Sequence, residues 1–328
     1  MTDHSRANSL RSRRQGRMSG GSLANGSSPP SSSPPSAPGS KRNTPFLPTP
    51  LETLVLLAYP ALLTFGTVYS VLNPQARGAA YDAAGQAPSY FARKDNLLNV
   101  LFVKRGWAWI SAAFALFAAT HPALRSGATR AAAVVRWALV TAWWVLVTQW
   151  CFGPPIIDRG FRFTGGRCDV AREAVVGGTA DAEDLFTAVA CRAAGGRWSG
   201  GHDISGHVFL LVLGSFFLIQ EVGWVVYRAA GQEERSVVMP DGAVKGAGVE
   251  ADGGGAAAGD GKALGVGGRF VGVVVALCLW MLLMTAIYFH TWFEKLTGLL
   301  VAAVGIYPIY ILPRWVPALR TFIGLPGI

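Results

Sequence analysis

Ile204-Ser-Gly-His-Val-Phe-Leu-Leu-Val-Leu-Gly-Ser-Phe-Phe-Leu-Ile-Gln-Glu-Val-Gly-Trp-Val-Val-Tyr227 is dominated by apolar residues and carries one acidic side chain, Glu221. About 20 such residues cross the hydrocarbon core of a bilayer as a helix. Four further stretches read the same way: Leu51–Asn73, Ala131–Phe152, Arg269–Phe289 and Lys295–Leu312. A sixth, Gly106–Thr120, is shorter than the ~17 residues a span needs. It spans only if its helix begins in Asn99-Val-Leu-Phe-Val103, which draws Lys104 and Arg105 to the membrane's edge. The pattern predicts an all-α class, a polytopic membrane helical bundle with about six transmembrane helices over residues 50–320.

Composition agrees. The chain is 51% hydrophobic and 15% charged, with a mean hydropathy of +0.34, against roughly 25% charged residues in a soluble domain. A net charge of +10 would suit a nucleic-acid partner. Much of that excess lies in the N-terminal tail and the rest beside apolar spans, so no nucleic acid is expected. Residues 1–49 are rich in Ser, Pro, Gly and Arg. They carry too little apolar surface to fold and lack the apolar core of a signal peptide. Residues 229–268 are rich in Gly and Ala and read as a flexible loop. Within them, Gly259-Asp-Gly-Lys-Ala263 fails the phosphate-loop pattern at Ala256 and Ala263. Cys151, Cys168, Cys191 and Cys278 are too few for a disulfide scaffold and lack the spacing of a zinc site.

Basic residues orient the bundle. The tail, the connection holding Arg125 and Arg130, and the C-terminal residues 321–328 with Arg314 and Arg320 before them fall on one side, which the positive-inside rule makes cytosolic. The loop 153–203 then faces the lumen, although its Arg159, Arg162 and Arg167 run against the rule. A luminal loop lies in an oxidising compartment, so a Cys168–Cys191 disulfide is expected, with Cys278 a reduced thiol inside a span.

The residues fit for chemistry gather at that luminal boundary. His207 starts the fourth span and His290 ends the fifth. In His290-Thr-Trp-Phe-Glu294 the carboxylate follows the imidazole by four residues, which places both on one face if the helix continues. A carboxylate accepting from Nδ1–H leaves Nε2 free as a nucleophile. In Asp203-Ile-Ser-Gly-His207, Ser205 can cap the fourth helix, Gly206 permits close approach of a ligand, and the first amides of the helix favour an anion. Lys104 and Arg105 lie on the same side, where they either snorkel or neutralise a phosphate. These parts together describe phosphoryl transfer. A metal site on His202, His207 and His290 is not favoured, since a five-residue spacing does not put His202 and His207 on one helical face. Gln220 and Glu221, near the far end of the span, read as structural.

Trp198-Ser-Gly-Gly-His-Asp-Ile-Ser-Gly-His-Val-Phe-Leu210, Tyr288-Phe-His-Thr-Trp-Phe-Glu-Lys-Leu-Thr-Gly298 and Asn99-Val-Leu-Phe-Val-Lys-Arg-Gly-Trp-Ala-Trp109 resemble segments of the fat storage-inducing transmembrane family. The resemblance runs from about Leu51 to Leu312, and the Ser/Pro tail looks like a fungal elaboration. It implies six spans in the endoplasmic reticulum membrane with both termini cytosolic. It also implies a luminal acyl-coenzyme A diphosphatase that releases acyl-4'-phosphopantetheine and adenosine 3',5'-bisphosphate. The family's role in lipid-droplet formation and phospholipid balance, its binding of triacylglycerol and diacylglycerol, and its catalytic histidines would carry over, the last onto His207 and His290. The family in turn is similar to lipid phosphate phosphatases, whose motifs are K-x6-R-P, P-S-G-H and S-R-x5-H-x3-D. This chain keeps Ser205-Gly-His207 and His290-x3-Glu294 but has Ile204 for the proline and Leu283-Met284 for S-R.

The resulting expectation assigns catalysis to His207, His290 and Glu294, and substrate binding to Ser205, Gly206, Lys104 and Arg105, with no cofactor and no metal. A phosphatidate or lysophosphatidate phosphatase and a non-enzymatic neutral-lipid-binding protein are the alternatives.

Overall fold

The computed structural model describes residues 43–73, 75–76, 89–149, 151, 153–170, 187–250 and 264–328. The N-terminal tail with its basic residues, and Gly259–Ala263 of the Gly/Ala-rich stretch, lie outside the described residues. The long helices are α1 (Pro50–Leu72), α2 (Gly106–Thr120), α3 (Gly127–Thr148), α6 (Gly206–Ala229), α7 (Gly265–Tyr288) and α8 (Trp292–Tyr310). Between α3 and α6 lie two short helices, α4 (Ile156–Phe163) and α5 (Ala188–Ala193), and a two-stranded ladder, β1 (Arg167–Cys168) with β2 (Trp198–Ser199). A hairpin, β3 (Ser236–Val238) with β4 (Val244–Gly246), follows α6. Two short helices, α9 (Leu312–Trp315) and α10 (Pro317–Ile323), close the chain.

This is a polytopic membrane helical bundle. Among the described residues, five helices are long and apolar enough to cross a membrane, counting α8 together with α9. Helix α2, at 15 residues, is shorter. A π-helical turn, Asn99–Val103, precedes it and extends it in the direction the sequence required. Helix α6 is the axis and is buried along most of its length, whereas most of α1 and α3 is not. Those two peripheral helices turn Leu54, Leu57, Phe65 and Val134 outward, the apolar exterior that a lipid solvent accepts. Helices pack closely where small residues meet. A Cβ at Gly66 of α1 would lie 2.5 Å from Ala286 Cβ of α7, a contact that lets dispersion hold helices together where no hydrophobic drive separates them from lipid.

One end of the bundle is tied by buried charge. Arg136 of α3 donates from Nε and Nη2 to the two oxygens of Glu221 on α6, at 2.7 and 2.8 Å. Its Nη1 donates to the Ile323 carbonyl at 2.9 Å, and Tyr310 Oη of α8 donates to Glu221 at 3.0 Å. Glu52 forms a capping box with Thr49 at the start of α1 and also receives Arg314 and Trp224 Nε1. Gln220 accepts from Trp224 at 2.8 Å, so Gln220 and Glu221 are structural.

Residues 236–246, within the stretch expected to be a flexible loop, instead form the β3–β4 hairpin. Arg235 is buried, with its guanidinium 4.0 Å from the Trp224 ring centroid and its Nη1 2.9 Å from the Pro326 carbonyl. Val237 packs on Leu325. The Gly/Ala composition hid this because its ordering comes from Arg235 and Val237, not from the glycines. Cys168 and Cys191 form the expected disulfide, Cys278 is buried, and Cys151 is partly exposed.

Removing one partner of the Arg136–Glu221 pair leaves an uncompensated buried charge, which costs about 3–5 kcal/mol. Glu221→Leu or Arg136→Met alone should lower the unfolding midpoint in detergent, and the double variant should recover most of the loss. Equal loss in all three variants would refute the pairing argument. Maleimide should label Cys151 without reductant, and Cys168 and Cys191 only after reduction. Labelling of the latter two in unreduced protein would remove the disulfide.

Candidate active site

At the other end of the bundle the two histidines meet. His290 lies between α7, whose last helical bond is Phe289 N–H to the Thr285 carbonyl, and α8, which Thr291 caps. His290 has φ +60°, a left-handed backbone uncommon for a side chain other than glycine. Such a conformation costs on the order of 1–3 kcal/mol and persists only when its surroundings impose it. Here the imposition is visible. Glu294, third residue of α8, reaches back so that one carboxylate oxygen accepts both the Thr291 amide at 2.8 Å and His290 Nδ1 at 3.1 Å. The expected pairing of His290 with Glu294 is therefore made, but through a capping box across a helix break rather than along a continuous helical face. A carboxylate only accepts, so Nδ1 carries the proton of that bond and Nε2 is left unprotonated in the neutral ring.

His207 sits in the first turn of α6. Its Nε2 lies 3.1 Å from Asn99 Oδ1. Asn99 is itself fixed, its Nδ2 donating to the Lys94 carbonyl at 2.7 Å and its amide to Asn96 Oδ1 at 2.8 Å. With Nδ2 engaged as a donor, Oδ1 must be the acceptor, so His207 donates from Nε2. The two imidazole rings stand 6.3 Å apart, centroid to centroid. The α6 helix that carries His207 and the α8 helix that follows His290 are joined by a backbone bond from the Ser205 amide to the Glu294 carbonyl at 3.1 Å. That crossing needs Gly298, where a Cβ would lie 2.7 Å from the Ser205 carbonyl oxygen.

Both rings line a cavity of about 1140 Å³, at or above the usual range of about 300–1,000 Å³ for small-molecule sites. Its lining includes the cations Lys94, Lys104 and Arg192 and the apolar side chains of Val71, Met281, Met284 and Ile287. Gly206, Asp203 and Asp158 also line it. Burial pushes the Asp203 carboxyl above the ordinary carboxylate range, more than nearby His290 draws it down. Burial raises Asp158 as well, against the Ala188 amide and Arg192.

The structure thus brings together His207, His290, Glu294, Gly206 and Lys104. Ser205 is buried and its Oγ caps α6 by accepting from the Val208 amide at 3.3 Å, so it shapes the helix end and is not among the lining residues. Arg105 is exposed and also outside the lining. His202 packs edge-on against Phe293, centroids 5.0 Å apart. Sequence reading missed Asn99, Asp203 and Lys295. Lys295 is buried and donates to Thr67 Oγ1 of α1 at 3.1 Å and to the Ala286 carbonyl of α7 at 2.6 Å. The cue for Asn99 was its place at the head of the Asn99–Trp109 segment, and for Lys295 its place directly after Glu294.

A family model described as "Fat storage-inducing transmembrane protein" matches residues 87–310, a range that holds both histidine segments. The chain is similar to "Acyl-coenzyme A diphosphatase fit1" of Schizosaccharomyces pombe, at 30% identity over 274 residues covering 83% of this chain and 90% of that protein. It is similar to "Acyl-coenzyme A diphosphatase SCS3" of Saccharomyces cerevisiae, at 27% over 43% of this chain and 58% of that protein. It is also similar to "Acyl-coenzyme A diphosphatase FITM2" of Xenopus laevis, at 27% over 69% of this chain and 72% of that protein. No solved structure matches.

A carboxyl raised by burial costs folding stability once it ionises, and the cost disappears as pH falls below the unfolded value of about 4. Asp203→Asn should therefore raise the unfolding midpoint at neutral pH, with the gain fading toward acid pH. A gain that does not change with pH would show that desolvation of Asp203 is not its source.

Proposed function

The chain belongs to the fat storage-inducing transmembrane protein family, and from that premise we propose that it is an acyl-coenzyme A diphosphatase. In this reading it splits the diphosphate of fatty acyl-CoA into acyl-4'-phosphopantetheine and adenosine 3',5'-bisphosphate. The observation that carries the reading is the meeting of His207 and His290 in one cavity lined by both cationic and apolar side chains, each ring held by its own partner. A substrate with an anionic head and a fatty tail needs both kinds of side chain.

The roles follow from the partners. Glu294 holds His290 Nδ1–H and stabilises the imidazolium that forms when Nε2 attacks. Nε2 attacks one phosphorus of the anhydride. The N–P bond forms, the bond to the bridging oxygen breaks, and that oxygen leaves with the second phosphate, taking the Nδ1 proton of His207, which enters the step as the imidazolium and leaves it neutral. Asn99 holds His207 by Nε2–H, which leaves Nδ1 as the nitrogen that exchanges the proton. Water, deprotonated by His207, then breaks the N–P bond and frees the first phosphate monoester. The 6.3 Å between ring centroids suits a phosphoryl group between them, since reacting atoms approach to about 3–3.5 Å. Lys104, Gly206 and the first amides of α6 offset the charge that develops. No metal enters this scheme.

The disulfide in the 153–203 loop supports an orientation with the cavity in the endoplasmic reticulum lumen and the buried-charge end toward the cytosol. The reading extends to the binding of triacylglycerol and diacylglycerol, for which the apolar lining residues are the support, and to lipid-droplet formation and phospholipid balance.

Purified protein with acyl-CoA tests the activity. His290→Ala should abolish turnover, His207→Ala should lower it by about 10²–10⁴-fold, and Glu294→Gln should fall between wild type and His290→Ala. Chelators should leave the rate unchanged. Full turnover by His290→Ala would end the proposed mechanism. Hydrolysis of phosphatidate but not acyl-CoA by the wild type would make the chain a lipid phosphatase. Diacylglycerol binding without any hydrolysis would make it a lipid-binding protein.

A further inference from the structure

The phosphatase-like motifs leave the chain without an assigned phosphate-binding arginine, and the cavity wall supplies a candidate. Lys94 and Lys104 lie near enough to His207 to act on it electrostatically, so they belong to the reacting diphosphate. Arg192 sits apart from them, on the six-residue helix α5. That helix is held over the cavity by the Cys168–Cys191 disulfide next to Arg192, and by the Ala188 amide bonded to Asp158 of α4. Arg192 Nε donates to the Ala188 carbonyl at 3.0 Å, which fixes the stem of the side chain. Its two Nη groups make no hydrogen bond or ion pair with the described residues, and Arg192 acts on the Asp158 carboxyl only through its field.

The contrast with the other end of the bundle gives this meaning. Arg136, Arg235, Arg314 and Arg320 each place guanidinium groups on a carboxylate. Arg192 lines the cavity, its stem fixed and its planar fork unpaired, as bidentate recognition of a phosphate requires. We propose that Arg192, carried on a disulfide-stapled lid, binds the substrate phosphate remote from the scissile anhydride. On the acyl-CoA reading, on which the inference rests, that group is the 3'-phosphate of the nucleotide. The staple fixes the lid before substrate arrives, which reduces the ordering cost of binding. Arg192 thereby determines specificity for the phosphorylated nucleotide over its dephospho form.

The test compares oleoyl-CoA with oleoyl-dephospho-CoA, using full-length protein in detergent. Calorimetric binding of adenosine 3',5'-bisphosphate is measured in parallel. One charged hydrogen-bonding contact corresponds to roughly tenfold or more in affinity. Wild type should show that preference in KM for oleoyl-CoA. Arg192→Ala should erase it by raising the KM for oleoyl-CoA alone, with kcat falling far less, and should weaken bisphosphate binding by a similar factor. Arg192→Lys should restore part of both. An equal loss of kcat on both substrates, or unchanged KM and bisphosphate affinity in Arg192→Ala, overturns the proposal. If wild type hydrolyses no acyl-CoA but binds the bisphosphate through Arg192, the phosphate site stands and the diphosphatase reading falls. If acyl-CoA is hydrolysed and Arg192→Ala behaves as wild type, the reverse holds. Neither hydrolysis nor bisphosphate binding by wild type removes both.

Discussion

Glu221 lies in the second half of a helix that is buried along most of its length, and its charge is tolerable there only because Arg136 closes on both oxygens and Tyr310 on one. Desolvation offsets most of what such a pair gains in Coulomb energy, so it contributes little net stability against a well-packed apolar alternative. What it does contribute is register. A helix that slides or rotates must break a bidentate contact and leave a bare charge in a medium without water, so the pair fixes α3, α6 and α8 relative to one another. Glu52 does the same for α1 and α9 through Arg314, and for α6 through Trp224. The distant end inherits that register, since His207 and the Glu294 that holds His290 ride on α6 and α8.

At the cavity end the tolerances are narrower. His290 keeps a left-handed backbone because Glu294 takes both its ring and the next amide, and because Lys295 ties the Ala286 carbonyl near the end of α7 to α1. The Ser205–Glu294 backbone bond and the bare Cα of Gly298 then set the distance between the two ring-bearing segments. Strain at one residue is thus maintained by ordinary contacts at several others, and removing any one of them acts on the ring through geometry rather than chemistry.

The spans, the pairing of the histidine segments at one end, and the disulfide were legible because each rests on composition or local spacing. Apolar length alone marks a helix in lipid, and helix parity places residues at one face or the other. The break at His290 was not legible, because His-x3-Glu reads equally as a continuous helical face and as a capping box; the Thr291–Glu294 pair that decides it looks like any helix start. Asn99 was hidden because its contact with His207 crosses 108 residues and depends on a π-helical turn that no residue pattern announces. Arg192 and the hairpin residue Arg235 look alike in sequence, each a cation in a mixed loop, and only packing separates the one that lines a cavity from the one that is buried.

That separation describes the whole molecule. Arginines of the buried-charge end are matched by Glu52, Glu221, Glu233 and Glu250, so that end has no positive groups left over from those pairs to attract an anion. At the cavity end Lys94, Lys104 and Arg192 form no ion pair with a described carboxylate, while Asp158 and Asp203 are pushed toward their neutral forms. The carboxylates there are either held by a histidine, as Glu294 is, or disfavoured as anions. The cations of the lining thus stand free of carboxylate partners among the described residues, in a cavity that also presents methionine and aliphatic side chains. A polyanion attached to a long apolar chain is the class of molecule for which such a boundary is complementary on both sides.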